Sequence, residues 1–331
     1  MLFSLLNVPP ASASTAAGSG GAGAPGAGAG LAAAGVPAAA RVPKRRPHVL
    51  REGAARALFG TAAALSIAAV ALICLFLLAN GVPAMAEIGL PEFLFGTTWR
   101  PANDLYGIFP MIVGSLYVTA GAMIVGVPGG LLTALYLSRF ARGRTGSFLR
   151  SGVELLAGIP SVVYGFFGLV IIVPFVRLLG PGTGLSVLAA SLILGIMILP
   201  TVITVAQSAL DAVPARYYEG ALALGVDHEH AVFKVVAPAA ASGIMAAIVL
   251  GLGRAIGETM AVVMVAGNMP IIPDSLLSGV RTMTANIVLE MGYAADLHRE
   301  ALIATGVVLF VFILLITICL LYTSPSPRDC S

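Results

Sequence analysis

Charge is scarce in this 331-residue chain. Asp, Glu, Lys and Arg together make up 10% of it, against about 25% in a soluble domain. With a mean hydropathy of +0.99, that shortage excludes an ordinary water-soluble fold. Lysine is scarcer still: Lys44 follows Pro43 and Lys234 follows Phe233. Neither can be the lysine of a Gly-Lys-Ser/Thr phosphate loop, so the chain binds no nucleotide by that route. The three cysteines, Cys74, Cys319 and Cys330, have neither disulfide-framework nor metal-site spacing. The first two lie in apolar runs and read as small packing residues. No cofactor or metal is expected, and no nucleic acid among the partners. The net charge of +3 says little until its placement is considered.

What the chain does have is apolar runs longer than the roughly 18 residues that cross a hydrocarbon core as a helix. A membrane-spanning helix satisfies its own backbone polar groups, which lipid cannot do. The expected fold is therefore all-α and polytopic, with six transmembrane helices. The spans are predicted at 58–79, 109–137 (interrupted at Gly126-Val127-Pro128-Gly129-Gly130), 153–179 (broken early at Gly158-Ile159-Pro160), 185–209 (containing Pro200), 241–266 and 301–321. Residues 1–57 form a separate Ala/Gly/Pro-rich segment that cannot offset its ordering entropy by burial and is expected to be disordered, with a basic end. Its Gly18-Ser19-Gly20-Gly21-Ala22-Gly23 matches a dinucleotide-binding pattern only in composition, with no strand before it. Met1 to Leu6 is too short an apolar core for a signal peptide. Residues 322–331 carry no basic cluster, read as a non-native tail, and are excluded from fold reasoning.

Basic residues orient the spans. Arg41, Lys44, Arg45, Arg46, Arg51 and Arg56 precede the first span. Arg139, Arg142, Arg144 and Arg150 follow the second, and Arg216 and Lys234 follow the fourth. The opposite side has Arg100, Arg177, Arg281 and Arg299, mixed with acids such as Glu87, Glu92, Asp104, Asp274, Glu290 and Asp296. The excess places the amino terminus and the loops at 138–152 and 211–240 in the cytoplasm of a cell whose membrane the chain crosses several times.

Two stretches carry functional signal. The 211–240 loop is far longer than a turn between helices requires. Asp211 and Pro214 suit a helix start, and Tyr217, Ala221 and Leu224 repeat at helical spacing. Gly225 suits a helix stop and Asp227 a new cap, with a second helix ending before Pro238. This is either a plain connector or a short amphipathic helix that fits a groove on a cytoplasmic partner. His228 and His230 flank Glu229 there and read as solvated polar residues. The other stretch is Gly251 to Met260, where Arg254 and Glu258 sit inside an apolar span. Such charges are costly in a bilayer. Four residues apart, they share a helix face and can pair, either as a structural ion pair between helices or as charges facing a water-filled path. Arg254 offers a planar fork of donors suited to an oxyanion, and Glu258 would hold Arg254 in place and keep the anion from binding too tightly. Gly253 and Gly257 form a small-residue ridge that lets another helix approach.

Glu219, Gly220, Ala221, Gly225 and Pro238 fall at the spacing of the Glu-Ala-Ala loop of binding-protein-dependent ABC importer permeases. Gly220 replaces the first Ala, Val235 an Ile and Ala237 a Leu. The chain resembles that family, and the resemblance implies a type I importer permease whose loop docks into an ATPase subunit. Gly253-Arg254-Ala255-Ile256-Gly257-Glu258-Thr259-Met260-Ala261-Val262, with Ala266-Gly267-Asn268, narrows it to the PstC-type permeases of phosphate-specific (Pst) importers. Val280-Arg281-Thr282-Met283-Thr284, Leu289-Glu290-Met291-Gly292 and Glu154 to Gly165 are also similar to that type, and the likeness extends over about residues 58–321. It implies inorganic phosphate as substrate, a PstA-type second permease, two copies of a PstB-type ATPase, a periplasmic PstS-type binding protein and a bacterial inner-membrane location. The alternatives are a related importer for sulfate or molybdate, which the loop does not discriminate, and a proton-coupled secondary transporter, against which the docking loop argues.

Overall fold

The computed structural model describes residues 49–141, 143–180 and 182–323. Of the segment expected to be disordered, residues 1–48 lie outside the described residues, but 49–57 are helical and open the first long helix, so the expectation fails there. Of the expected tail, residues 322–323 continue the last helix and the rest lies outside the described residues. The chain divides between Leu58 and Phe59 into two units. Of the first, only the opening turns of a long helix, from Val49, are described. The second carries everything below.

Helix α1 (Val49–Ile88) and the short α2 (Leu90–Phe95) lead into a two-residue hairpin, β1 (Trp99–Arg100) paired antiparallel with β2 (Leu105–Tyr106). Helix α3 (Phe109–Leu135) closes with a wide π turn over Tyr136–Phe140. Then come α4 (Gly143–Gly158), α5 (Ser161–Phe167) and, after a π turn, α6 (Val173–Arg177). Next are α7 (Val187–Asp211), α8 (Ala215–Ala223), α9 (His228–Ala231) and, after a further π turn, α10 (Ala237–Ala239). The chain finishes with α11 (Ala241–Gly257), α12 (Met260–Val265), α13 (Met283–Glu290) and α14 (Asp296–Thr323). Among the described residues, four helices, containing α1, α3, α7 and α14, are long and apolar enough to cross a membrane. Two bent pairs bring the number of segments to six: α4 with α5–α6, bent by 97°, and α9–α10 with α11, bent by 71°.

The predicted interruption of the second span does not occur: α3 runs straight through Pro128. Its glycines serve packing instead. A Cβ on Gly126 would lie 2.5 Å from Ile198 Cγ1 and 2.7 Å from the Gly195 carbonyl, and one on Gly130 2.8 Å from Val202 Cγ1. These glycines let α3 and α7 run side by side in the same direction as the best-packed pair of the molecule. Around them the apolar side chains of the described residues form four clusters, of which a small one joins Tyr164, Ile193, Met197 and Ala261 and the other three follow one another along the pair. One, with Phe93, Trp99, Met111, Met283 and Leu302, lies at the hairpin end. A middle one has Val118, Ala122, Leu194, Ile198 and Val265. The third, with Leu137, Ile203, Leu210, Val236 and Ala247, lies at the α8 end.

Basic side chains tie off the α8 end. Arg139 Nη2 donates to the Leu210 carbonyl at 2.6 Å and Arg150 Nη2 to the Leu137 carbonyl at 3.2 Å, satisfying acceptors that a helix end leaves over. Helix α1 has the opposite character. Leu65, Ile67, Leu72 and Phe76 are all exposed, an apolar surface that suits lipid.

The predicted third span is also corrected. Pro160 cannot continue α4, so the chain turns sharply and residues 153–158 lie on the other arm of the bend from 161–177. The Tyr164 hydroxyl donates to the Leu156 carbonyl at 2.8 Å and ties the corner.

Candidate functional site

The fifth span is two helices, not one. Helix α11 stops at Gly257, Glu258 is extended (φ −72°, ψ 132°), and α12 starts at Met260. Low helix propensity at Gly257 makes a break cheap here, and two hydrogen bonds hold it. Glu258 Oε1 accepts the Ala261 N–H at 3.4 Å, placing an acid at the positive start of α12. The Glu258 carbonyl accepts the Thr284 hydroxyl at 3.1 Å.

The Arg254–Glu258 pair that the spacing allows is not formed, and Glu258 does not hold Arg254 in place. Glu258 has left the helical face that Arg254 occupies, and among the described residues the ion pair between an arginine and a carboxylate is Arg281–Glu290. Arg254 lies in the last turn of α11, where a cation is favoured by the helix dipole. It is exposed. Beside it, Gly253 and Gly257 have no atom within 4 Å of an added Cβ. The small-residue ridge that could let a helix approach therefore receives none from the described residues. The structure leaves one open strip: two glycines, an exposed guanidinium and, at its end, a half-buried carboxylate.

The second predicted site lies at the far end of the molecule. In α8, Glu219 and Gly220 are exposed and Ala221 is buried. The helix ends as expected at Gly225 (φ +83°), where the Gly225 N–H reaches the Leu222 carbonyl at 2.9 Å and the Val226 N–H reaches the Ala221 carbonyl at 3.2 Å. This paired closure of a helix end favours glycine in the left-handed position. It leaves Leu224 87% exposed and Tyr217 47% exposed, two large side chains offered outward.

Three local expectations fail. Asp211 does not start α8. It ends α7 and accepts the Ser138 hydroxyl at 2.5 Å. Asp227 makes no side-chain cap. The second helix does not stop before Pro238; it continues to Ala239, with Pro238 exposed and the 71° bend just beyond. His228 is likewise not a solvated residue. Its Nδ1 lies 2.7 Å from the Tyr218 hydroxyl, and its ring meets Phe140 edge-on at 4.7 Å between centroids. It thereby joins α8 to the end of the second span.

A third cluster was not anticipated as a site. Glu290, at the end of α13, is nearly buried. It accepts Arg281 Nη1 at 2.5 Å and the Trp99 indole N–H at 2.9 Å, with His298 Nε2 also at 2.9 Å. Arg281 Nε also donates to the Asn268 carbonyl at 3.0 Å. Trp99 packs edge-on against Tyr106 and His298. Burial, and then the Asp104 carboxylate, raises the Tyr106 hydroxyl above its ordinary pKa. Burial, and then Glu290, does the same for Tyr293. A cavity of about 600 Å³ adjoins this cluster, lined by Glu87, Glu92, Asp104 and Tyr106 among others. A signal for the cluster was present in the sequence: the chain's single tryptophan stands among polar residues between two spans.

Residues 126–328 match the family of binding-protein-dependent transport system inner membrane components, which takes in α8, the α11–α12 break and α13. The chain belongs to this family. It is thus a transport subunit rather than an enzyme, and a multi-pass membrane protein. It is 37% identical over 286 residues to the probable ABC transporter permease protein YqgH of Bacillus subtilis, covering 83% of this chain and 93% of that one. It is 33% identical to the phosphate transport system permease protein PstC of Mesorhizobium japonicum, over 74% of this chain and 81% of that one. In fold, the chain is similar to an inward-facing MetNI methionine ABC transporter structure, with a TM-score of 0.51 and 19% identity, over 69% of this chain and all of that one. In this family setting, the exposed α8 and the open strip on α11 are surfaces that a single permease chain leaves uncovered.

Proposed function

We propose that the chain is the PstC-type permease subunit of an ATP-driven importer of inorganic phosphate. Arg254 and Glu258 line its half of the path, and the Glu219–Pro238 loop receives a PstB-type ATPase. The observation that carries the reading is Arg254, a cation held on the open face of α11 that, among the described residues, makes no ion pair with a carboxylate. A guanidinium presents several donors in one plane, a match for a tetrahedral oxyanion. A transport site must also release its ion. Glu258, at the end of the same strip, supplies opposing charge without quenching Arg254 directly. The PstC relatives support phosphate as the ion.

In this reading the amino terminus and α8 face the cytoplasm, in keeping with the arginines and lysines gathered on that side. The hairpin and α13 face the periplasm and the PstS-type binding protein. The open strip with Gly253 and Gly257 faces a PstA-type partner across the path. ATP hydrolysis in the partner ATPase moves α8, and the α9–α11 bend carries that motion to the strip.

The test is labelled phosphate uptake in cells whose own PstC-type subunit is deleted, with the other components kept and this chain supplied. The reading expects uptake that excess sulfate does not compete away and that persists when an uncoupler collapses the proton gradient. Competition by sulfate would reassign the substrate. Loss with the uncoupler would remove the ATP-driven mechanism.

A further inference from the structure

Helix α13 is eight residues long and is tied at both ends. At its start the Thr284 hydroxyl donates to the Glu258 carbonyl at 3.1 Å, and the Met283 N–H donates to Ser115 Oγ of α3 at 3.0 Å. At its end the Glu290 side chain, 9% exposed, collects Trp99, Arg281 and His298. Those partners come from three separate segments: the hairpin before α3, the loop after α12 and the first turn of α14. Stability alone is a weak reason for a carboxylate here, because a buried ion pair can often be replaced by well-packed apolar groups without loss. What a carboxylate with three partners does supply is a fixed position relative to three segments at once.

We propose that Glu290 is a positioning residue for transport. It anchors α13 to the hairpin face, and α13, a strut about 12 Å long, sets the place of the Gly257–Thr259 break through the Thr284–Glu258 bond. Displacement of the hairpin, the 266–282 loop or the start of α14 then moves Glu258. The proposal rests on the reading of Arg254 and Glu258 as path-lining residues. On that reading, a binding protein settling on the hairpin face acts on the path through α13.

The test uses the assembled transporter with two reporters. Trp99 is the chain's only tryptophan, so its emission, taken as the difference from a Trp99→Phe complex, reports the Glu290 end. Gly257→Cys, with Cys74, Cys319 and Cys330 replaced by Ala, reports the break through its rate of reaction with a charged, membrane-impermeant thiol reagent. Glu290→Gln and Thr284→Val are each expected to change that rate by about fivefold or more. Both lower the maximal uptake rate more than they change the KM. Only Glu290→Gln shifts the Trp99 emission, and Thr284→Ser restores the labelling rate. A Glu290→Gln transporter with shifted Trp99 emission but unchanged labelling and uptake would overturn the proposal. If Glu290→Gln does not assemble, unchanged labelling in Thr284→Val overturns it alone. Failure of the path reading looks different: normal uptake in Arg254→Ala, whatever the Glu290 and Thr284 variants do.

Discussion

At the scale of single residues, the geometry separates charges that build the protein from charges that remain for its work. Arg139 and Arg150 close helix ends, and Arg281 is taken up by Glu290. Arg254 keeps its guanidinium on an open face. Arg254→Lys should therefore insert normally yet recover little uptake, because a point charge on a flexible stem does not reproduce a planar fork. Uptake per inserted molecule, compared across Arg, Lys and Ala at position 254, checks this. Gly225 makes a different prediction. At φ +83° any side chain is strained, and Gly225→Ala should cost about 1 kcal/mol, read as a lower melting temperature of the detergent-solubilised complex. The Arg254–Glu258 pairing could not be refuted from spacing alone. Four residues apart share a face only while the helix continues, and a carbonyl at the break is bonded by Thr284, 26 residues downstream.

At the scale of elements, the long apolar helices were legible and the corners were not. Helices α3, α7 and α14 lie close to their predicted bounds because hydrophobicity and length decide them. The breaks in the third and fifth spans interrupt helix without interrupting hydrophobicity, so a hydropathy reading runs through them. The glycines of α3 misled in the other direction: they suggested a break where they permit a contact. Gly126→Leu should accordingly be severe, since the added atoms meet the Gly195 carbonyl as well as the Ile198 side chain. Overpacking of this kind typically costs about 1–3 kcal/mol, and backbone contact places this case at the upper end. The yield of folded, membrane-inserted protein and its melting temperature are the readouts. Helix α8 carries its own prediction. Leu224→Glu puts a charge on its most outward apolar side chain, 87% exposed. The variant should insert normally but lose co-purification of the ATPase subunit, and retention of that subunit would remove α8 as the docking element.

At the scale of the whole molecule, the subunit reads as three joined parts along the parallel α3–α7 pair: the α8 end, the open strip beside the α11 break, and the hairpin end gathered around Glu290. The first two were visible because each is local, a loop of fixed spacing and two charges in an apolar run. The third was not, because Trp99 and Glu290 stand 191 residues apart and only the fold brings them together. The account as a whole stands on Arg254 as the cation of the path. The measurement that tests it most directly is initial-rate phosphate uptake by the Arg254→Ala transporter, matched to the unsubstituted one for assembled complex in the membrane. The account predicts a fall of about tenfold or more, the weight of one charge-assisted contact. Uptake at the unsubstituted rate would contradict it.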